Sequence, residues 1–411
     1  MKSFVLAVVC LISLQAAARQ FTLEGKSLAS AINQAAIGDT IIIPFGHYRF
    51  GNVVLDKSIS IIGKDMPVLD GENKFELFTV TAKNVFLSGL HLINSAFSSS
   101  VDYAAIKALH ADGLTVTNCI IENSFFGIHL SGTDQVKISD NKINCHRPPE
   151  SNIGNAIHLW KCNQALITNN FVSGHRDGIY FEFVTQSIIE NNHSEKNQRY
   201  GLHFMFSHEN QYLNNQFIDN GAGVAVMYSH TVTMKNNLFA KNWGAASYGL
   251  LLKDIRDSEV EFNRFVSNTM GLYMEGSSRI KFISNEFKSN GYAARVQASC
   301  DDNVFERNNF QGNTFDVATN GSMVLNTLGK NYWDKYEGYD LNKDGWGDIA
   351  YHPVSLYSMV VERVPASILL WRSFMVFLLD RAEKNIPSIT PQNLMDTQPA
   401  MKPYDLSAKS K

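Results

Sequence analysis

The sequence predicts an all-β chain, a right-handed parallel β-helix solenoid with a short N-terminal capping helix and a C-terminal helical cap or tail. Three observations carry this. Asparagines recur at Asn118, Asn141, Asn169, Asn192, Asn215, Asn237, Asn263, Asn285 and Asn308, mostly 22 or 23 residues apart. About nine residues after most of them comes a five-residue segment whose second and fourth positions are apolar, as in GIHLS at 127, GLHFM at 201 and GLYME at 271. That period of two belongs to strands with one buried face. Finally, 411 residues with 45% hydrophobic and 18% charged side chains support a large core, and a continuous repeat favours one solenoid over the two or three domains that length alone suggests. The net charge of -3 excludes the basic excess of a nucleic-acid binder.

Taken in chain order, residues 1–18 read as a signal peptide: Lys2, an apolar run from Phe4 to Leu14, then Ala16, Ala17 and Ala18. The mature chain is expected to begin near Arg19. The apolar run falls short of the ~20 residues that span a bilayer. Without Cys10, the exported chain keeps Cys119, Cys145, Cys162 and Cys300, which lack zinc-site spacing and are read either as buried small hydrophobes or as allowing one disulfide. The β-helix is expected over 19–353. Its cap helix spans about 27–36, where Leu28 and Ile32 share a face, and its repeats run over about 40–330. Each coil of roughly 22 residues is too small to bury its own apolar side chains, so coils must stack at about 4.8 Å per rung, with asparagines in ladders at the corners. Longer steps place excursions around 145–155, with Pro148 and Pro149, and around 243–248. Residues 354–390 form an apolar capping or docking segment, since ASILLWRSFMVFLL at 366–379 is too short to span a membrane. Residues 391–411, with Pro391, Pro399 and Pro403 among polar neighbours, are read as an extended or disordered tail.

If the second and fourth positions of each segment point inward, the third and fifth point outward and stack into columns. The third column reads Lys107, His129, His158, Tyr180, His203, Ala225, Leu251, Tyr273 and Arg295, and the fifth includes Glu182, Met205, Met227, Lys253 and Glu275. Met205 and Met227 thus fall on adjacent rungs, with His203 beside Met205 and with His208 and His230 three residues beyond the methionines. Thioether and imidazole donors together suit Cu(I), because soft sulfur prefers a soft ion. His129 with His158 is a second copper candidate. Exposed methionines packed beneath a loop are the plain alternative.

The stretch DLNKDGWGD at 340–348 places Asp340, Asn342, Asp344 and Asp348 at the first, third, fifth and ninth places of a calcium loop, with Gly345 at the sixth, but Tyr351 stands where a bidentate Glu belongs. It is read as a structural calcium site or a hydrogen-bonded turn. The rival function is a secreted polysaccharide-binding or polysaccharide-cleaving protein using Asp177, Glu182 or Glu275; Glu182 and Glu275 lie four rungs apart, near 19 Å, too far for paired-acid hydrolysis.

The front end SLASAINQAAIGDTIIIPFGHYRF, the repeats, the segment GKNYWDKYEGYDLNKDGWGDIAYHP and the closing LLDRAEKNIPSITP together resemble the NosD family of periplasmic maturation proteins of nitrous oxide reductase. The resemblance carries over Asn331, Tyr332, Trp333, Tyr336, Gly338, Asp340, Asp344, Gly345, Gly347 and Asp348 as a structural signature. It implies a carbohydrate-binding and sugar-hydrolase (CASH) type β-helix used without sugar chemistry. It also implies a periplasmic, non-enzymatic role with an ABC transporter made of an ATPase and a permease, and with a copper chaperone lipoprotein, in supplying copper to nitrous oxide reductase. The apolar C-terminal segment then becomes a dock for the permease. The family supplies no copper ligand set, so the methionine and histidine columns rest on the residues alone.

Overall fold

A computed structural model describes residues 18–25, 27–98, 100–146, 153–321, 325–385 and 394–406. The signal-peptide reading falls on residues outside this set, apart from Ala18. The chain is a parallel β-solenoid of about 13 turns. Each turn contributes one strand to each of three sheets, of 14, 12 and 13 strands among the described residues, and the paired strands run parallel in unbroken sequence order.

Strict alternation fixes which side chains fill the interior. In the 12-stranded sheet Ile128, Ile157, Ile179, Leu202, Val224, Leu250, Leu272 and Ala294 are register partners on successive rungs, and all are fully buried. In the 13-stranded sheet the interior column becomes aromatic. Phe217, Phe239, Phe265, Phe287, Phe310 and Trp333 stack with centroids 4.1 to 5.6 Å apart. Rungs spaced by one β repeat bring identical rings to stacking distance without further adjustment.

The corners are held by buried amides. Asn141, Asn170, Asn192, Asn215, Asn237, Asn263, Asn285, Asn308 and Asn331 form one ladder. In it each Nδ2 donates to the next Oδ1, and the same Oδ1 also accepts the preceding residue's backbone N–H, as at Asn215 and Asn237. Two asparagines expected in this ladder do not belong to it. Asn169 takes a left-handed φ of 56° and leaves the inward place to Asn170, and Asn118, at φ 51°, leaves it to Cys119. A second ladder, Asn197, Asn220, Asn242, Asn268, Asn290 and Asn313, was not anticipated, although its 22- to 26-residue spacing is present in the sequence.

Helix α1 (Leu28–Gln34) buries Leu28, Ala31 and Ile32 over the first coil, and Ser27 caps it by accepting from the Ser30 N–H. Lys57 donates to the carbonyls of Ile32, Asn33 and Ala35, where the helix end leaves them unmet. At the other end, α2 (Leu356–Arg363) lays Tyr357 and Val361 on Phe315, and Glu362 pairs with Arg295. The apolar run at 366–379 divides into a 3₁₀ turn (Pro365–Leu370) and α3 (Phe374–Asn385). No described helix is long and apolar enough to cross a membrane.

The expected loose tail is corrected for residues 394–406. Asp396 is fully buried beneath the last coil, where it accepts from the Asn331 N–H and Nδ2, the Trp333 Nε1–H and the Lys330 N–H. Its carboxylate occupies the place of the next asparagine and closes the first ladder. Cys119, Cys145, Cys162 and Cys300 are buried, and burial pushes the Cys119 thiol up to about 12 and Cys162 to about 11, so these two are inert core groups.

Candidate functional site

The outward side of the 12-stranded sheet, over the strands Phe126–Ser131, Ile157–Trp160, Asp177–Glu182, Tyr200–Met205 and Ala222–Met227, gathers most of the polar candidates. Register puts His129, His158, Tyr180 and His203 in one column, as expected, and their rings follow at 4.8, 4.8 and 4.9 Å between centroids. The column is also largely covered. His129, Tyr180 and His203 are buried, and the Nε2 atoms of His158 and His203 are covered and have no hydrogen-bond partner. Polar atoms in such a state are costly, so their concentration on neighbouring rungs marks this face as special.

Asp177 is fully buried at the edge of the column and is held by the guanidinium of Arg199, with Nε 2.9 Å from Oδ1. Burial would lift its carboxyl, but the Arg199 guanidinium outweighs burial and holds it below the usual range. A second guanidinium N–H lies 3.2 Å from His203 Nδ1. Guanidinium only donates, so His203 Nδ1 accepts and Nε2 carries the hydrogen. In that tautomer Arg199 engages His203 Nδ1, so a copper ion at this nitrogen would have to displace the guanidinium. Sequence reading missed Arg199; the only signal was a cation four residues before His203.

Met205 and Met227 are direct register partners on adjacent rungs, both half-buried. The Tyr180 hydroxyl lies 3.2 Å from Glu182 Oε2 and 3.7 Å from Met205 Sδ. The carboxylate is the stronger acceptor and takes the hydrogen, leaving the thioether lone pairs for a soft ion. His208 and His230 stack on consecutive rungs, 4.0 Å apart and 9° from parallel. They lie past the corner formed by Phe206, at φ 49°, and the inward Ser207. Imidazole lone pairs lie in the ring plane, so a cation midway between two parallel rings would be off both donor directions. As they stand, the two rings do not converge on an ion between them.

His129 and His158 do converge, with Nδ1 atoms 3.3 Å apart. Burial drives both imidazoles toward neutrality, His129 down to about 4 and His158 to about 3, the latter lowered also by His129. At neutral pH both are uncharged donors.

In the loop at 340–348 the candidate ligands turn onto the loop's own backbone. Asp340 accepts from the Asp344 and Gly345 N–H groups, Asn342 from Asp344, Asp344 from Trp346, and Asp348 from Leu341. These are the bonds of a hydrogen-bonded turn, one of the two readings of this loop. Among the described residues no three His, Cys, Asp or Glu side chains converge as a metal-binding group. The acids of the polysaccharide reading are also engaged: Asp177 by Arg199, Glu182 by Tyr180, and Glu275 by Lys253 at 3.4 Å.

Comparison with known proteins agrees with the resemblance read from the sequence. The family described as NosD, periplasmic copper-binding protein, matches residues 144–342. A protein of Pseudomonas aeruginosa named "Probable ABC transporter binding protein NosD" is 28% identical over 376 residues, 87% of this chain and 87% of the relative. One of the same name from Stutzerimonas stutzeri is 26% identical over 381 residues, 88% of this chain and 86% of the relative. Among solved structures, the catalytic unit of a GH87 α-1,3-glucanase from Streptomyces thermodiastaticus superposes with a TM-score of 0.60 at 15% identity, over 78% of this chain and 69% of that one. At that identity the likeness speaks for the solenoid fold alone.

Proposed function

We propose that this chain, which is similar over 87% of its length to a protein named as a probable ABC transporter binding protein NosD, is a periplasmic accessory protein that handles copper for the copper centre of nitrous oxide reductase. In this reading it receives Cu(I) from a copper chaperone lipoprotein and works against an ABC transporter made of a permease and an ATPase. It is not itself a catalyst. The observation that carries the reading is the pairing of Met205 with Met227 on consecutive rungs of the outward face, in a chain that matches a family described as copper-binding. Two thioethers on adjacent parallel strands sit about 4.8 Å apart at the backbone, close enough for both flexible side chains to reach one soft ion.

The apolar surface of the C-terminal segment supports the transporter part. Leu369 is 86% exposed and Phe374 74%, and Met375, Phe377 and Leu378 are exposed beside them. Such a contiguous apolar surface on a folded chain marks a contact with another protein or with a membrane. The relatives are named as transporter-binding proteins, and the permease is the occupant we assign to it.

Titration of Cu(I) into the purified protein against a competing chelator tests the copper station. Met205→Ala with Met227→Ala is expected to weaken binding at this site at least ~10-fold, the equivalent of about 1.4 kcal/mol, with the melting temperature unchanged. Undiminished affinity would take these residues out of the reading.

A further inference from the structure

The His129 and His158 imidazoles are poised for more than packing. Their Nδ1 atoms face each other at 3.3 Å inside a ring of aromatic neighbours, with Phe126 5.1 Å from each histidine centroid and Tyr180 4.8 Å from His158. Neither histidine has a carboxylate hydrogen-bond partner there. Of the nearby charges, Lys107 is paired with Glu76 at 2.9 Å and Asp177 with Arg199, while Asp102 also acts on His129 and Arg176 on His158. The pocket therefore presents two neutral nitrogen donors with no carboxylate bonded to either.

We propose that His129 and His158 form a second Cu(I) site, distinct from the Met205–Met227 station, in which both Nδ1 atoms bind one ion. This deepens the copper reading above and rests on it. An ion about 2.0 Å from each nitrogen fits the 3.3 Å separation with an N–metal–N angle of roughly 110°. That angle leaves a third coordination position open, through which a donor from a partner protein can take or deliver the ion. Zinc is disfavoured because it seeks four ligands, and no third His, Cys, Asp or Glu converges here among the described residues. A divalent ion is further disfavoured by charge, since the cost of burying an ion rises with the square of its charge and neutral imidazoles offset none of it. Cu(I) carries one charge and accepts few ligands.

The competing account is an ordinary hydrogen bond, one Nδ1–H donated to the other Nδ1. The two accounts differ in proton placement. Binding requires both rings to carry their hydrogen on Nε2, so the shared proton moves from Nδ1 to Nε2 of the same ring and no proton is released. The covered Nε2 of His158 has no hydrogen-bond partner and the ring meets Tyr180 edge to face at 4.8 Å, where a hydrogen directed at a ring face is tolerated better than an unmet lone pair. Tyr180 and His203 continue the column toward Met205, so the nearest members of the two stations, His158 and Met205, lie two rungs apart, about 10 Å along the solenoid.

Anaerobic Cu(I) titration with a chromophoric competitor decides the matter. The unaltered protein is expected to bind two equivalents. Met205→Ala with Met227→Ala should retain one, and X-ray absorption on that protein should show nitrogen neighbours with no sulfur. His129→Phe with His158→Phe should lose that equivalent and keep the sulfur-ligated one. Because the second variant changes a buried pair, ¹⁵N spectra of the unaltered protein give an independent readout, in which two equivalents of Cu(I), enough to fill both stations, must shift the Nδ1 signals of both histidines. The proposal is overturned if those signals stay put, or if the methionine variant melts normally yet binds no copper. Uptake of no Cu(I) by the unaltered protein would overturn the copper reading itself, and this site with it.

Discussion

The outward face of the 12-stranded sheet is two surfaces built on one scaffold. Over the rungs from Phe126 to Met205 it carries His129, His158, Asp177, Tyr180 and His203, with several covered polar atoms lacking partners. Over the rungs from Tyr292 to Ala318 the equivalent positions carry Tyr292, Arg295 and Phe315, which are packed against Tyr357 and Glu362 of α2. The interior does not change in kind between the two halves, since Ile128, Leu202 and Leu272 are all fully buried at matching places. Stacking constrains the inward side of every rung alike, whereas the outward side is free to diverge, so function collects where that side is left uncapped.

The contrast is broken most forcefully at the capped end. Asp396→Ala removes the acceptor shared by Asn331, Trp333 and Lys330 and leaves buried donors unmet, at an expected cost of ~3 to 5 kcal/mol. In a solenoid each turn is stabilised mainly by its neighbours, so the loss should be local. Hydrogen exchange is expected to lose protection around 303–333 and to retain it around 126–205. Equal loss in both regions would show that the halves act as one cooperative unit.

Acid should act on the other half. His129 and His158 have folded values below the ordinary 6.5, at about 4 and about 3. The unfolded chain therefore binds more protons in that window, and their contribution, full above about 6.5, is lost as pH falls toward about 3, on the order of a few kcal/mol in all. Exchange protection around 126–205 should fall with pH across this window, and His129→Phe with His158→Phe should flatten the dependence. The fully buried His175, also lowered to about 4 by burial, supplies a residual slope.

The smallest effect on stability is expected on the exposed face of α3. Phe374→Ser with Phe377→Ser should change stability by less than ~0.5 kcal/mol, because both side chains are exposed. If this face docks to the permease, the same change abolishes co-purification with the transporter; retained co-purification would move the contact elsewhere.

What was legible in the sequence follows the same division. The inward columns could be read because alternation leaves one choice of face, and the register pairing of Met205 with Met227 follows from it. Which of two adjacent asparagines turns inward was not legible, since Asn169 and Asn170 differ only in which takes the left-handed φ. The docking of 394–406 was hidden by its proline-rich composition, because Asp396 acts through partners 63 to 66 residues away. At the site, the column of rings was foreseen. The occupation of His203 by Arg199 was not, nor was the 3.3 Å approach of His129 to His158, because both depend on side-chain rotation.

The central claim is tested most directly by the copper content of nitrous oxide reductase purified from a strain lacking this gene, with the gene restored as control. The account predicts reductase polypeptide in normal amount but without its catalytic copper centre, and recovery of the centre on restoration. A reductase with a full catalytic centre in the deletion strain would contradict it.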